Sequence, residues 1–418
     1  ASLMTRSPAT RILSVHRLVQ AVLADQMELD LVRLWSRRVV CMVNAAFPDE
    51  RIWSDEQFWT WTQCERLLAQ ALACFPLVES MGSDLPESGE LLFKAGGYLM
   101  ARGRYREAET LLEQAVTLAE RQQSFDPTVL IARLQKRAQL FWRQGKYAGA
   151  EALLLRVLQL KEQQLGPTHL KTADTLNNLA ILYRDQGKYD AAESHYQQAL
   201  HIYEQQLGST NLKTALTLLN LAHLYWTQGK YEVAESLCEQ VLRIQEQHLG
   251  PEHPRIDLTL NNLATIYRDQ GKYAQAEPLY QRALRIQEQQ LGDDHPDSAE
   301  TLDGLATLYQ KQGKFEEAEP LFLQALRIRE HHLGPTHPEV AQTLGGLANG
   351  YRDQKQHEQA EPLYQRALAI SEQRLGATHP QTRRIRDDYH RLLEQRTSAS
   401  QRADEEQQDH LSSDTRKD

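Results

Sequence analysis

Glycine recurs at a fixed interval through most of this chain. Gly103, Gly145, Gly187, Gly229, Gly271 and Gly313 lie 42 residues apart, each followed by Lys or Arg and then Tyr or Phe. A second series, Gly166, Gly208, Gly250, Gly292, Gly334 and Gly376, keeps the same interval, and each member follows a leucine. Glycine tolerates the positive φ that ends a helix at its C′ position, so both series mark helix ends. Between them run stretches of roughly 20 residues with helical periodicity. In one, Leu176, Leu179, Ala180 and Tyr183 share a face; in the next, Ala192, Tyr196, Ala199 and Leu200 do. Each 42-residue unit is therefore expected to be two antiparallel helices.

A single helical hairpin cannot bury its apolar face, whereas stacked hairpins share one continuous core. Large and small residues alternate, as with Tyr183 over Ala180 and Tyr196 near Ala192 and Ala199, which lets neighbouring helices approach closely. The loops fit this scheme. Pro254, Pro296, Pro338 and Pro380 suit the first position of a helix, where a missing N–H costs nothing. Pro278, Pro320 and Pro362 are expected in the first turn of the second helix, where proline is tolerated. Glu109, Glu151, Glu193, Glu235, Glu277, Glu319 and Glu361 recur at one offset, which reads as architecture: a first-turn acid opposing the helix dipole.

The order Leu179, Ala180, Tyr183, Gly187, Ala192, Tyr196, Ala199 resembles the tetratricopeptide repeat, and the 42-residue length with "TLNNLA" and "GKY" is similar to the kinesin-light-chain subtype. The match spans about residues 90–380. The resemblance implies an all-α fold, a right-handed superhelical solenoid whose first helices line a concave groove. On this basis residues 85–124 form a divergent first repeat, 125–376 the regular array, 377–396 a capping helix and 397–418 a disordered tail. The tail is rich in Ser, Gln, Asp and Glu and has no aromatic residue.

The same alignment places Gln135, Trp142, Asn177, Asn178, Arg184, Asn220, His223, Trp226, Asn261, Asn262, Arg268, Gln310, Asn349 and Arg352 toward the groove as candidate partner-binding residues. One position reads Trp142, Arg184, Trp226, Arg268, Gln310, Arg352 along the array. Tryptophan and arginine anchor recognition surfaces, and asparagine can grip a peptide backbone as donor and acceptor. Two readings stay open. The arginines and following aspartates can pair with one another, and the asparagines can tie adjacent helices together. If the groove arginines bind, charge reversal at Arg184, Arg268 and Arg352 is expected to abolish partner capture and leave melting unchanged.

Other chemistry is sparse. The net charge is −9 with both signs interspersed, which argues against nucleic-acid binding. Four scattered cysteines suggest a reducing compartment, and no apolar run is long enough for a membrane span, so a cytoplasmic protein is expected. His331 and His332 with His337 invite a metal assignment, but His169, His253, His295, His337 and His379 recur at one loop offset and read as a repeat feature. No zinc, phosphate-loop or nucleophile-elbow pattern is present, so no catalytic residue, metal or cofactor is assigned.

Residues 1–84 do not repeat and read as a helical connector, with periodic sets at Val15, Leu18, Val19 and Val22 and at Leu31, Leu34, Trp35 and Val39. The opening "ASLMTRSPAT" lacks an initiator methionine and reads as a scar joined to a fragment. "SVHRLVQAVL" (Ser14 to Leu23) and the element from Trp61 to Leu72 resemble the end of the winged-helix segment of NB-ARC-type STAND ATPases. That resemblance implies the ligand-sensing part of a bacterial signalling or antiphage-defence switch, with a nucleotide-binding domain upstream in the same protein. The alternative is a freestanding adaptor that holds protein complexes together. Both expect a protein or peptide partner and no enzymatic activity in this chain.

Overall fold

A computed structural model describes residues 4–7, 12–15, 28–48, 59–74, 85–121, 126–292 and 294–414. Among them the elements are a hairpin, β1 (Met4–Ser7) and β2 (Ile12–Val15), and helices α1 (Leu29–Ala46), α2 (Trp59–Ala73), α3 (Pro86–Ala101), α4 (Tyr105–Arg121), α5 (Pro127–Arg143), α6 (Tyr147–Leu165), α7 (Leu170–Asp185), α8 (Tyr189–Leu207), α9 (Leu212–Thr227), α10 (Tyr231–Leu249), α11 (Asp257–Asp269), α12 (Tyr273–Leu291), α13 (Ser298–Lys311), α14 (Phe315–Leu333), α15 (Pro338–Asp353), α16 (His357–Arg374) and α17 (Pro380–Asp414). The chain forms two compact bodies. One comprises Ala1–Tyr98 with Thr110–Arg133, the other Leu99–Glu109 with Leu134–Asp418.

The first body departs from the sequence expectation at its start. Val15 pairs with Met4 in an antiparallel ladder, not on a helical face. The β-branched Thr5, Ile12 and Val15 suit that ladder. Leu18, Val19 and Val22 lie outside the described residues, as does most of the Ser14-to-Leu23 stretch. Tyr98 is the centre of this body's core: its ring meets Phe47 edge-on at 6.4 Å and its hydroxyl donates to Glu65 at 2.5 Å.

In the second body the glycines end the helices. Gly187 has φ 74°, its N–H donates to Arg184, and Lys188 N–H reaches back to Tyr183 O, both at 2.9 Å. Buried Tyr196, Tyr280, Phe322 and Tyr364 fill the spaces opposite alanines at the same repeat offsets.

The repeated glutamate is architectural, but it works as a joint and not through the helix dipole. Glu151 accepts from Tyr183 at 3.1 Å, Gln186 at 3.2 Å and Lys188 at 3.0 Å, all in the next unit. Lys188 also lies 5.2 Å from the centroid of the Tyr183 ring. Burial raises the Glu151 carboxyl, and those three donors outweigh it and hold it below the usual carboxylate range. Glu109 and Glu235 make the corresponding bonds to Lys146 and Lys272.

The recurring loop histidine caps the first helix. Nδ1 of His169, His253, His295, His337 and His379 accepts the backbone N–H two residues on, at 3.0–3.3 Å, and Asn211 supplies Oδ1 at the same offset. Pro338 and Pro380 open their helices as expected, and Pro254 opens a short 3₁₀ turn, but Pro296 precedes α13 in a turn. Pro278, Pro320 and Pro362 sit one turn deeper than expected. The bonds they remove would have ended on the carbonyls of Ala274, Glu316 and Glu358, which belong to exposed residues that water can satisfy.

This body closes on itself. Arg102 donates to His332 O at 2.8 Å, and a Cβ at Gly103 or Gly145 would lie 2.8 Å from His337 or His379. The last helix, α17, extends past Gln395. It runs to Asp414, since this stretch contains neither glycine nor proline and is dominated by helix-compatible Gln, Arg, Ala, Asp and Glu.

Candidate recognition groove

Successive first helices (α7, α9, α11, α13, α15) approach one another more closely than successive second helices do. The curvature therefore puts first helices on the inside. Side chains on that inner face form a chain of contacts running from unit to unit. Trp142 Nε1 donates to Asp185 Oδ2 at 2.6 Å, and Arg184 grips Asp185 Oδ1 at 2.9 Å. The Arg184 guanidinium then meets His223 Nδ1 at 3.1 Å, and the His223 ring lies 5.1 Å from that of Trp226. Trp226 Nε1 donates to Asp269 at 3.0 Å, and Asp269 is held by Arg268, whose guanidinium reaches Tyr280 Oη at 3.5 Å. Because Arg184 donates to Nδ1, the His223 ring is neutral; burial and that guanidinium push its pKa down to about 3.

The expected groove residues thus divide. Arg184, Arg268 and Arg352 have side chains only 10%, 14% and 13% exposed, and each pairs with the aspartate that follows it. Charge reversal there would break internal pairs, so melting would not stay unchanged. Asn220 donates to Asn177 at 3.2 Å, Asn261 is buried and donates to Thr301 at 2.7 Å, Asn349 accepts from Tyr364 at 2.5 Å, and Gln310 donates to Gly346 O at 3.1 Å. These are ties between or within units. Among the described residues, Gln135, Asn178 and Asn262 have no side-chain hydrogen bond, and Asn178 is exposed.

A cavity of about 730 Å³ lies at the inner face. Trp142 lines it, together with Tyr105, Tyr147, Glu300 and Glu339, which sequence reasoning passed over. Glu300 stands at the repeat offset of Gln342, which lines the same cavity. Tyr105 and Tyr147 come from the opening of second helices, and nothing in the sequence shows that the body's closure brings them there. His337 belongs to a helix cap, and the partner of His331 and His332 is Asp294, whose Oδ2 lies 3.2 and 3.5 Å from their ring nitrogens. No helix is long and apolar enough to cross a membrane among the described residues.

Tetratricopeptide-repeat models match residues 130–205, 213–289, 255–331 and 333–411, and a further one matches residues 95–121. The chain belongs to the tetratricopeptide-repeat family. No curated protein matches it in sequence. Similar solved structures include a Rap protein complexed with competence and sporulation factor, 16% identical, covering 86% of this chain and 91% of that one at a TM-score of 0.55. The Rap conjugation gene regulator of plasmid pLS20, in complex with the Phr* peptide, is 15% identical and covers 82% and 99% at 0.53. A putative kinesin light chain of Podosopora anserina is 28% identical over 49% of this tetratricopeptide-repeat chain and 97% of its own, at 0.40.

Proposed function

We propose that this tetratricopeptide-repeat array is a non-enzymatic recognition module that holds a peptide or protein segment along its inner face. The observation that carries this reading is the linked Trp142–Asp185–Arg184–His223–Trp226–Asp269 chain. It fixes aromatic and guanidinium groups in place before any partner arrives, so little side-chain entropy is lost on binding. The repeated joints on the second helices supply the frame, and the inner positions supply the variation. The two Rap structures that share the fold are complexes with competence and sporulation factor and with the Phr* peptide, and the second supports a peptide-sized occupant here.

A displayed library of random dodecapeptides, selected on the full chain, tests the reading. Enriched peptides should lose binding to a Gln139→Arg/Asn178→Arg variant, which crowds exposed inner positions, and keep it with Gln198→Arg on a second helix. Binding that ignores the inner variant would refute the groove.

The wider setting we infer is ligand sensing in a STAND-type regulator of signalling or antiphage defence. Its support is the resemblance in Ser14 to Leu23 and Trp61 to Leu72, the second of which falls on α2 in the non-repeating body. A trigger in the groove would then shift a nucleotide switch by its differential affinity for two states. The intact mass of the native protein, captured with an antibody against this chain, discriminates. A product near 48 kDa favours a freestanding adaptor; a heavier one carrying a phosphate-binding loop favours the switch.

A further inference from the structure

The cavity on the inner face has an uneven charge. Four carboxylates (Asp185, Asp297, Glu300, Glu339) and two guanidinium groups (Arg143, Arg329) line it. Asp185 is already committed to Trp142 and Arg184. Arg329 is committed to Asp303 and Thr343. Arg329 also lies 3.6 Å from Glu339 through its Nε. Glu300 stands out among the four carboxylates. It is open to the cavity, yet it makes no hydrogen bond or ion pair with any described residue. Burial raises its pKa, and Glu339, Asp257 and Asp303 raise it further against the opposing pull of Arg329. An unpartnered carboxylate in a negative field is an electrostatic vacancy for a cation.

The aromatic lining fits the same occupant. Tyr105, Trp142 and Tyr147 offer apolar faces, and the Trp142 indole is held in its plane by the bond to Asp185. The chain's own Arg143 guanidinium lies 5.3 Å from the Trp142 ring centroid, which shows the kind of charge this lining accepts.

We propose that this cavity receives one lysine or arginine side chain of a peptide lying in the groove, with Glu300 as its counter-ion and the aromatic lining packed on its aliphatic stem. The inference rests on the groove reading above and adds the chemistry of one partner side chain to it. Aromatic contact along the methylene stem with a carboxylate at its tip is how long basic side chains are held.

The random dodecapeptide selection also tests this inference. Sequences enriched on the full chain should share one Lys or Arg. A fluorescein-labelled synthetic copy of the strongest should bind Glu300→Gln at least about tenfold more weakly. Replacing its basic residue by norleucine should weaken binding to the wild-type chain to a similar degree, and the two changes together should cost little more than either alone. Glu300→Gln should melt no earlier than wild type, because the carboxylate has no protein partner to lose. Peptides that need the open inner face but carry no basic residue, or that ignore Glu300→Gln, would overturn this inference and leave the groove standing. No enrichment at all would overturn both.

Discussion

The joints from a second helix to the next unit's turn and the contacts along the first helices are built on opposite rules. At the joint the same four side chains return: Glu109 with Gln144 and Lys146, Glu151 with Gln186 and Lys188, Glu235 with Gln270 and Lys272, each beneath the aromatic ring that precedes the turn. On the inner side the contacts change along the array. A tryptophan reaches an aspartate at Asp185 and Asp269, a glutamine reaches a backbone carbonyl at Gly346, and an arginine meets a histidine at His223. A third series, inside the core, is also varied: Lys161, Tyr203, Gln245, Gln287, Arg329 and Ser371 fill one offset. Uniform contacts lie where solvent reaches and each is worth little; varied contacts lie where burial makes each worth more.

The buried series gives the sharpest test. Arg329 and Asp303 are 5% and 13% exposed and hold each other together with Thr343. Arg329→Ala leaves the carboxylate buried without its partner, a loss of about 3–5 kcal/mol by chemical denaturation. Arg329→Gln should recover much of it, since Gln287 makes a comparable bond to Asp257 at 2.9 Å one unit earlier. If Arg329→Ala costs no more than a joint substitution, the contrast fails.

Acid should also act on a buried cap before it acts on the joints. His337 caps α15 through Nδ1, and burial together with Arg143, Arg102 and Arg329 pushes its pKa down to about 4. Its folded pKa is therefore below the unfolded value near 6.5. The stability it contributes is complete above pH 6.5 and is lost as pH falls toward 4, roughly 3 kcal/mol in all. The joint carboxylates Glu109, Glu151 and Glu235, held below their usual range, lose their contribution only at lower pH. Asn211 shows that an amide can make the same cap without titrating. His337→Asn should match wild type at pH 7.5 and flatten the decline between pH 6.5 and 4.5; an unchanged slope would exclude His337 as its source.

The two kinds of contact can be compared directly in one place. Trp142→Phe removes a bond to a partly buried carboxylate and should cost about 1.5–3 kcal/mol. Glu151→Gln weakens a joint whose lysine is half exposed and should cost about 1 kcal/mol or less. Equal losses in thermal or denaturant unfolding would dissolve the distinction between the two faces.

What the sequence could show follows the same division. The 42-residue period, the helix ends, the helix pairs and the architectural standing of the glutamates were legible because they depend on local spacing. The inner face was legible as a list of positions but not as a set of contacts. Whether Arg184 meets a partner or its own Asp185 depends on rotamers that packing decides, and the structure uses the three arginines internally. The cavity was not legible at all, because Tyr105 and Glu300 meet only through the closure of the whole body. The hairpin at Met4–Ser7 and Ile12–Val15 was hidden by a short apolar run that suits a strand as well as a helix.

The smallest effect tests the turn itself. Five units end their first helix on glycine at this offset, from Gly145 to Gly313, with φ between 70° and 76°. The last uses Lys355 in the same place at φ 63°, the one non-glycine residue with positive φ among those described. A lysine Cβ there crowds the adjacent carbonyl, at a cost of about 1 kcal/mol that glycine avoids, partly offset by the greater freedom glycine has when unfolded. Lys355→Gly should therefore raise stability by somewhat less than about 1 kcal/mol. The reverse change, Gly229→Lys, should lower it by a similar amount, since nothing lies within 4 Å of a Cβ at Gly229 and backbone strain is the whole effect. Measured together by denaturant unfolding, the pair isolates the turn from its surroundings. Opposite shifts of similar size mean that the terminal unit closes by the same backbone geometry as the interior ones. A loss for Lys355→Gly would mean that the lysine side chain makes the terminal turn in a way glycine cannot replace.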